Sequence, residues 1–459
     1  MRRNVCWNIS VLLVCLLLLS GCGKQKPDRV EEDLGGIDTS ISSDSDAGKA
    51  SADVPERLTY TLGTSGYKFN VDAEVMATGY ENMKVYEQNP VTTLDDEALK
   101  NLAEQIFDNG EYEVVKPYGI CSVEELREED LFLRSLYEEA GMEYSSEQIE
   151  AYIENYNENN VSELPEGALI YHLEETVDGE TVDFEECRLR GMMDGNMSEL
   201  TYYSSGGNNT MLYVTRYVND YAHMAMACST EYELASTLYG ENLCNLEEAS
   251  RKVQDIIDNM GYTDMKQLAV QHNVISDGAA SGMHADGYRF IFVRETDGIK
   301  NILGDESYAV ISDGAGEDIT DFPGAGQEFI SVDIDSTGIL RIFFGRGYEK
   351  GGQLSDQTTM LSFEQVDAVA QEYMNDLLES YSGYTGTYDY NIVAVRLGYV
   401  TLLYDTQYTL VPVWAYVQEK ASEDQTLDRI LFGVNALDGS IVQFTYDNMY
   451  GSASQTYFY

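Results

Sequence analysis

Three stretches of the chain carry apolar residues at helical spacing, and each is followed by runs of strand character. That alternation limits the fold more than any other feature. In TLDDEALKNLAEQIF, Leu94, Ala98, Leu99, Leu102, Ala103, Ile106 and Phe107 fall on one helical face. In NLEEASRKVQDIIDNM the face is Leu246, Ala249, Val253, Ile256, Ile257 and Met260; in SFEQVDAVAQEYMNDLLESY it is Val366, Val369, Ala370, Tyr373, Met374, Leu377 and Leu378. Each stretch opens on a capping residue, Thr93, Asn245 or Ser362, with acids or an amide in the first turn to answer the orphan amides and the positive helix end. Ser122, followed by Val123, Glu124 and Glu125, opens the same way, so caps alone do not define a repeat.

GYRFIFVRE and EFISVDIDSTGILRIFFG follow the second helix; YDYNIVAVRL, TLVPVWAYVQ and RILFGVNALDGSIVQFTY follow the third. Bounded by turn residues and rich in β-branched and aromatic side chains, these read as strands. Val332 to Phe344 and Val434 to Phe444 read as hairpins, the latter turning on Asp438 and Gly439. After the first helix come EYEVVKPY and LIYHLEETVDGETVDFEECRLR, with a turn at Asp178 and Gly179. A helix laid over the antiparallel sheet that follows it is an α+β unit, and the chain holds two or three of them. The acidic helical stretch from Ser122 to about Glu158 is an insertion in the first. A chain of 459 residues has room for two or three domains, expected at 56–235 (with the insertion), 236–352 and 353–459.

Ahead of these lies MRRNVCWNISVLLVCLLLLSGCGKQKP. The apolar run from Ile9 to Leu19 is too short to span a bilayer, which takes about 20 apolar residues. A basic start, a short apolar middle and small residues at the end describe an export signal, and Leu19, Ser20, Gly21 and Cys22 resemble the lipobox of bacterial lipoproteins. The resemblance implies that residues 1–21 are cut away and that Cys22 carries acyl chains that hold the protein on the outer face of a membrane, where two chains suffice. Residues 22–55, rich in Ser, Asp and Gly, read as a disordered tether, with a reach on the order of 30 Å.

The 28 basic residues face 80 acidic ones, a formal charge of -52. Such a surface repels phosphate backbones and anionic headgroups, which excludes nucleic acid as a partner and leaves the membrane to be held through the lipid anchor. Four of the 7 cysteines lie beyond Cys22: Cys121, Cys187, Cys228 and Cys244. In an exported chain they are candidates for two disulfides, and their spacing fits no metal template.

Tyr408, Leu410, Val411, Pro412, Val413, Trp414 and Tyr416, followed by Val434, Asn435, Ala436, Leu437, Asp438, Gly439, Ser440 and Ile441, resemble the closing strands of PepSY and YycI-type domains. There a Pro-Val-Trp strand precedes an Asn-Ala-x-x-Gly hairpin. The chain as a whole resembles uncharacterised lipoproteins of Gram-positive anaerobes. The resemblance implies cystatin-like helix-on-sheet units outside the cell that bind partner proteins and carry no catalytic residues. Asp333 to Gly338 departs from the hairpin pattern by one residue.

Of the 4 histidines, His172 falls in a strand-like run, His223 stands apart, and His272 and His284 flank QHNVISDGAASGMHADGY, a Gly-rich candidate binding loop. None has the spacing of a metalloprotease helix, and no Gly-x-Ser-x-Gly pentad occurs. DIDSTG begins like a calcium loop, but position twelve is Phe344, so it reads as a hairpin turn. GRGYEKGG, at 345–352, reads as a loop. Trp414 reads as core packed beneath a helix. The sequence calls for no cofactor. It points to an extracytoplasmic, lipid-anchored component of the cell envelope that binds, possible partners being envelope proteins. The alternatives are an envelope hydrolase using an acid pair and a solute or glycan binder.

Overall fold

The computed structural model describes residues 54–444 apart from 64–65, 81–82, 92, 143, 157–163, 166, 178–179, 206–208, 219–242, 277–282, 304–309, 313–327, 346, 355–359, 381–386, 405–406 and 420–428. The helical periods become α1 (Asp96–Ile106), α2 (Val123–Glu139), α3 (Glu147–Glu154), α4 (Leu246–Asn259) and α5 (Phe363–Ser380). Asn245 caps α4 by accepting from the Glu248 amide at 3.0 Å, and Ser362 and Gln365 close a capping box at 2.9 and 3.2 Å. α1 starts two residues later than Thr93 predicts: Asp95 accepts from the Ala98 amide at 2.8 Å. Leu94 lies ahead of the helix, its N–H donating to the Tyr202 hydroxyl at 3.1 Å.

Ten of the described strands form one sheet: β4 (Tyr112–Val114), β5 (Tyr171–Val177), β6 (Glu180–Met193), β7 (Asn196–Ser205), β8 (Asn209–Arg216), β9 (Met265–Ser276), β10 (Met283–Thr296), β11 (Ile299–Lys300), β13 (Phe329–Asp335) and β14 (Gly338–Phe344). β4 and β5 lie end to end on one edge of β6, opposite Leu189–Gly191 and Glu180–Glu186 respectively. They are two halves of one strand, interrupted by the segment that carries α2 and α3, which is the expected insertion. Nine further strands form the second sheet: β1 (Arg57–Leu62), β2 (Tyr67–Met76), β3 (Tyr86–Pro90), β12 (Val310–Ser312), β15 (Tyr348–Gln353), β16 (Tyr388–Tyr404), β17 (Gln407–Gln418), β18 (Arg429–Asn435) and β19 (Ile441–Gln443).

One plan occurs three times: a helix, then a four-strand antiparallel meander. It runs α1, β4/β5, β6, β7, β8; then α4, β9, β10, β13, β14; then α5, β16, β17, β18, β19. The first two units join through their last strands, β8 and β14, from Leu212↔Phe344 to Thr215↔Arg341. Their helices share one core, in which Leu99, Ala103, Val253 and Ile257 meet Leu189, Leu200, Val214 and Ile342. Each of these Leu, Val and Ile side chains contributes about 1.5–3 kcal/mol when fully buried. The third unit has its own core, where Val366, Ala370 and Met374 of α5 pack with Trp414, Tyr416 and Phe432. Trp414 is fully buried, its ring 5.0 Å from that of Phe363. This is an α+β fold.

The sheets cross the segment bounds drawn from the sequence. β2 runs parallel to β16, β3 pairs with β17 and β15, and β12 pairs with β19. Asn70 donates to Asn391, 321 positions away, at 3.0 Å; local periodicity carries no information about a pairing at that separation. The Gly-rich run at 345–352, expected as a loop, supplies β15, because the β3 edge offers it backbone partners from Tyr86 to Pro90. The turn at Asp438 is also longer than expected. Asn435 N–H reaches Ser440 O at 2.9 Å, and of that Asp-Gly pair Gly439 alone has a left-handed φ, at 81°. Two-residue Asp-Gly turns sit instead at Asp194–Gly195 (φ 54° and 74°) and Asp297–Gly298 (φ 53° and 80°).

Candidate functional site

Residues of a strand face alternate sides, so with Phe290, Val332, Ile342, Val214, Leu200 and Leu189 turned to the helices, their neighbours line the opposite face. There one residue from each of eight strands forms a single cross-strand row: Gln271, Arg289, Asp333, Arg341, Thr215, Glu199, Arg190 and Glu113. Opposite charges placed directly across a strand pair attract, and this row is built largely from such neighbours.

One end is closed by the insertion. Arg188 donates to both oxygens of Glu199, at 2.8 and 2.9 Å, with the Tyr118 ring 4.6 Å from its guanidinium. The Tyr217 hydroxyl donates to Glu199 and accepts from Arg190 Nε at 2.9 Å. Arg190 also reaches Glu113 at 3.2 Å and Glu129 of α2 at 2.5 Å, and the Phe132 ring lies 4.1 Å from it. Burial alone would raise the Glu199 carboxyl, but the charge and hydrogen bonds of Arg188, with the Tyr217 hydroxyl, outweigh it and hold the group below the usual carboxylate range. Burial raises the nearby Glu186 carboxyl, opposed by Arg188. Chemically this end is a clamp: its charged atoms are spent on one another and on fixing α2.

The other end is more open. Arg289 donates to both oxygens of Asp333, at 2.6 and 2.9 Å, and Arg341 reaches the same carboxylate at 3.1 Å. Burial would raise Asp333, but the two guanidiniums hold it low. Burial and the like charge of Arg289 depress the Arg341 guanidinium, against the pull of Asp333.

Of the residues singled out in sequence, His172 lies on β5, 76% exposed and 3.4 Å from Glu185. His272 lies on β9 opposite Tyr288, and His284 on β10 opposite Ile275. Both are strand residues of one hairpin; its loop, 277–282, and His223 lie outside the described residues, as do Cys22 and Cys228. Cys121 and Cys187 are buried free thiols, and Cys244 is buried. Cys187 and Cys244 sit in the core shared by the first two units and Cys121 in that of the insertion. Burial pushes Cys121 and Cys244 up to about 11 and Cys187 up to about 12. Asp335 of the calcium-like run accepts from the Thr337 amide and hydroxyl and from Arg216, so it closes a hairpin. Among the described residues no three His, Cys, Asp or Glu side chains are grouped to hold a metal. No helix among them is long and apolar enough to cross a membrane.

Sequence reading missed the charged row because it needs strand register. The available signal was Arg188, Arg190, Arg289 and Arg341, each next in sequence to a core residue, Cys187, Leu189, Phe290 or Ile342.

No family model and no curated protein matches the chain. Among solved structures it is similar to an uncharacterised protein from Eubacterium rectale, with a TM-score of 0.43 and 12% identity over 84% of this chain and 93% of that one. It is also similar to the Bacillus megaterium YpeB C-terminal domain, with a TM-score of 0.25 and 11% identity over 60% of this chain and 88% of that one.

Proposed function

We propose that the protein is a lipid-anchored component of the outer face of a bacterial cell membrane that acts by binding, as an accessory or regulatory part of the envelope. The observation that carries the anchor is the run Leu19, Ser20, Gly21, Cys22 behind a short apolar segment and two arginines. The binding role is supported by the way the charged face is used. An acid-pair hydrolase needs two carboxyls with opposed protonation, one of them free to act. Glu186 and Glu199 are shifted in opposite senses, yet Glu199 is spent on Arg188, Tyr217 and Thr201. That commitment favours a scaffold over a catalyst.

The test is fractionation with mass spectrometry of the native protein. A diacylglycerol-modified Cys22 at the mature N-terminus, in the membrane fraction, is expected, and Cys22→Ser should release the chain. A native chain that keeps residues 1–21, or carries an unmodified Cys22, overturns the reading. Cross-linking on intact cells then tests for an envelope protein partner.

A further inference from the structure

On the sheet face turned away from α1 and α4, Glu199 is held by Arg188, Glu113 by Arg190 and Asp333 by Arg289 and Arg341. Glu186 differs. It lies on β6 between Phe184 and Arg188, half-buried, while Cys187 beside it turns into the helix-side core. Among the described residues its carboxyl has no hydrogen bond and no ion pair. Arg188, the cation that acts on it, gives Nε and Nη2 to the two oxygens of Glu199. Arg188 and Arg190 thus stand among four carboxylates, Glu113, Glu129, Glu186 and Glu199, and Glu186 is the one they leave without a donor. A carboxylate drawn out of water in this way is unfavourable until a cation meets it.

The surroundings suit an organic cation. In register, Glu186 stands opposite Tyr171 of β5 and Tyr203 of β7, and side chains so placed have Cβ atoms about 4.5–5.5 Å apart. The Phe184 ring lies 5.5 Å from that of Tyr203. Tyr202 and Leu212 point into the helix-side core, so Tyr203 and Tyr213, next to them in sequence, share the face of Glu186. Burial raises the Tyr213 hydroxyl and the charges of Glu199 and Glu186 add to it, which places that ring near the carboxyl. Aromatic rings attract cations through their negative faces, and the field of a chain with a formal charge of -52 draws cations toward it.

We propose that Glu186, with Phe184 and Tyr203 beside it, receives the primary ammonium group of a ligand, borne by a lysine side chain or by a small free amine. The site deepens the binding reading above and rests on it. The pairing supplies the donor that the carboxyl lacks, and partial burial strengthens the contact by lowering the local dielectric.

The experiment titrates the mature chain carrying Cys22→Ser with trilysine and, separately, with spermidine, by calorimetry at physiological salt. At least one probe should saturate a single site, and the tighter of the two identifies the source: trilysine a peptide side chain, spermidine a free amine. Glu186→Gln, which keeps the shape and removes the charge, should weaken that binding at least about tenfold, as expected for loss of a charge-assisted hydrogen bond. Glu97→Gln, at an exposed acid of α1, should leave it unchanged, which separates the site from general attraction to an acidic chain. A second readout needs no ligand. Because the carboxyl is half-buried without a donor, Glu186→Gln should raise the urea midpoint of the free chain, as is common where a binding group lowers stability. A residue that only braced the sheet would do the reverse. The site is overturned if neither probe saturates the unmutated chain, if Glu186→Gln binds as tightly, if Glu97→Gln weakens binding equally, or if Glu186→Gln lowers the midpoint. Each of these failures is separable from failure of the anchor, which is read on the membrane fraction.

Discussion

Asp335 and Asn435 hold the same place in two units: each ends the third strand of its meander, and each accepts at Oδ1 the amide of the residue two further on, Thr337 at 2.7 Å and Leu437 at 3.0 Å. The side chain thus builds the start of the turn in both hairpins. The two turns differ by two residues in length, Asp335 pairing with Gly338 and Asn435 with Ser440, yet the device that opens them is shared. What each side chain does with its other atom differs. Asp335 Oδ2 accepts from Arg216 at 3.1 Å, whereas Asn435 Nδ2 donates to the Ser440 hydroxyl at 3.3 Å.

That difference makes the two positions non-interchangeable. Asp335→Asn keeps the turn acceptor but strips a guanidinium that is 8% exposed of its carboxylate. Breaking a buried pair from one side costs about 3–5 kcal/mol, so the urea midpoint should fall sharply. Asn435→Asp places a charge at a fully buried site and should be comparably harmful. A loss below about 0.5 kcal/mol in both, the range of ordinary surface changes, would show that the turns tolerate either side chain.

The acid limb of stability should trace to the charged row. Glu199 and Asp333 are both held below the usual carboxylate range, burial being outweighed by arginine. A depressed folded-state carboxyl contributes stability that is present above its unfolded value, about 4, and lost as pH falls through its lower folded value. Stability should therefore hold from neutral pH down to about 4 and fall steeply below it. Glu199→Gln should flatten the fall while lowering stability at pH 7 by about 3–5 kcal/mol. Denaturant unfolding between pH 7 and 3 measures both, and an unchanged acid limb in the variant would refute the assignment.

Much of the fold was legible because it is local. The three amphipathic periods became α1, α4 and α5, and the stretch from Ser122 became α2 with the Ser122–Glu125 capping box in place. The Val332 to Phe344 and Val434 to Phe444 hairpins also formed. What failed was long-range or competitive. The cap falls on Asp95 rather than Thr93, and the Leu94 N–H ahead of it is taken by Tyr202, from a strand 108 positions away. The Gly-rich run at 345–352 became β15 because β3, far back in the chain, needed an edge partner. No local pattern announced that β2 would lie parallel to β16. The charged row was hidden for the same reason: Arg341 and Glu199 are ordinary surface residues until register sets them on one line.

The cysteines make a separate prediction. Thiolate is the reactive form, and burial pushes Cys121 and Cys244 up to about 11 and Cys187 up to about 12. In the folded chain at pH 8, iodoacetamide should leave Cys121 and Cys187 unmodified, and both should react once the chain is unfolded. Peptide mapping separates them from Cys228 and Cys244. Rapid native labelling of Cys187, which is fully buried beneath the helices, would mean that the shared core opens.

The insertion is the part of the first unit that should loosen first, and its contacts say how. Its own core is small, Cys121, Leu126, Leu133 and Ile149, and its charged tie to the sheet runs from Glu129 to Arg190. Leu126, 1% exposed, should cost about 2–5 kcal/mol when cut to Ala, but that loss belongs to a cluster separate from the one beneath α1 and α4. Hydrogen exchange should therefore show Val123–Glu139 losing protection in Leu126→Ala while β6, β7 and β8 keep theirs, a local opening rather than a global one. Glu129→Gln should have a milder effect of the same kind, because Arg190 retains Tyr217 and Glu113. If protection of the sheet falls together with that of α2, the insertion is instead a cooperative part of the unit, and the split strand formed by β4 and β5 depends on it.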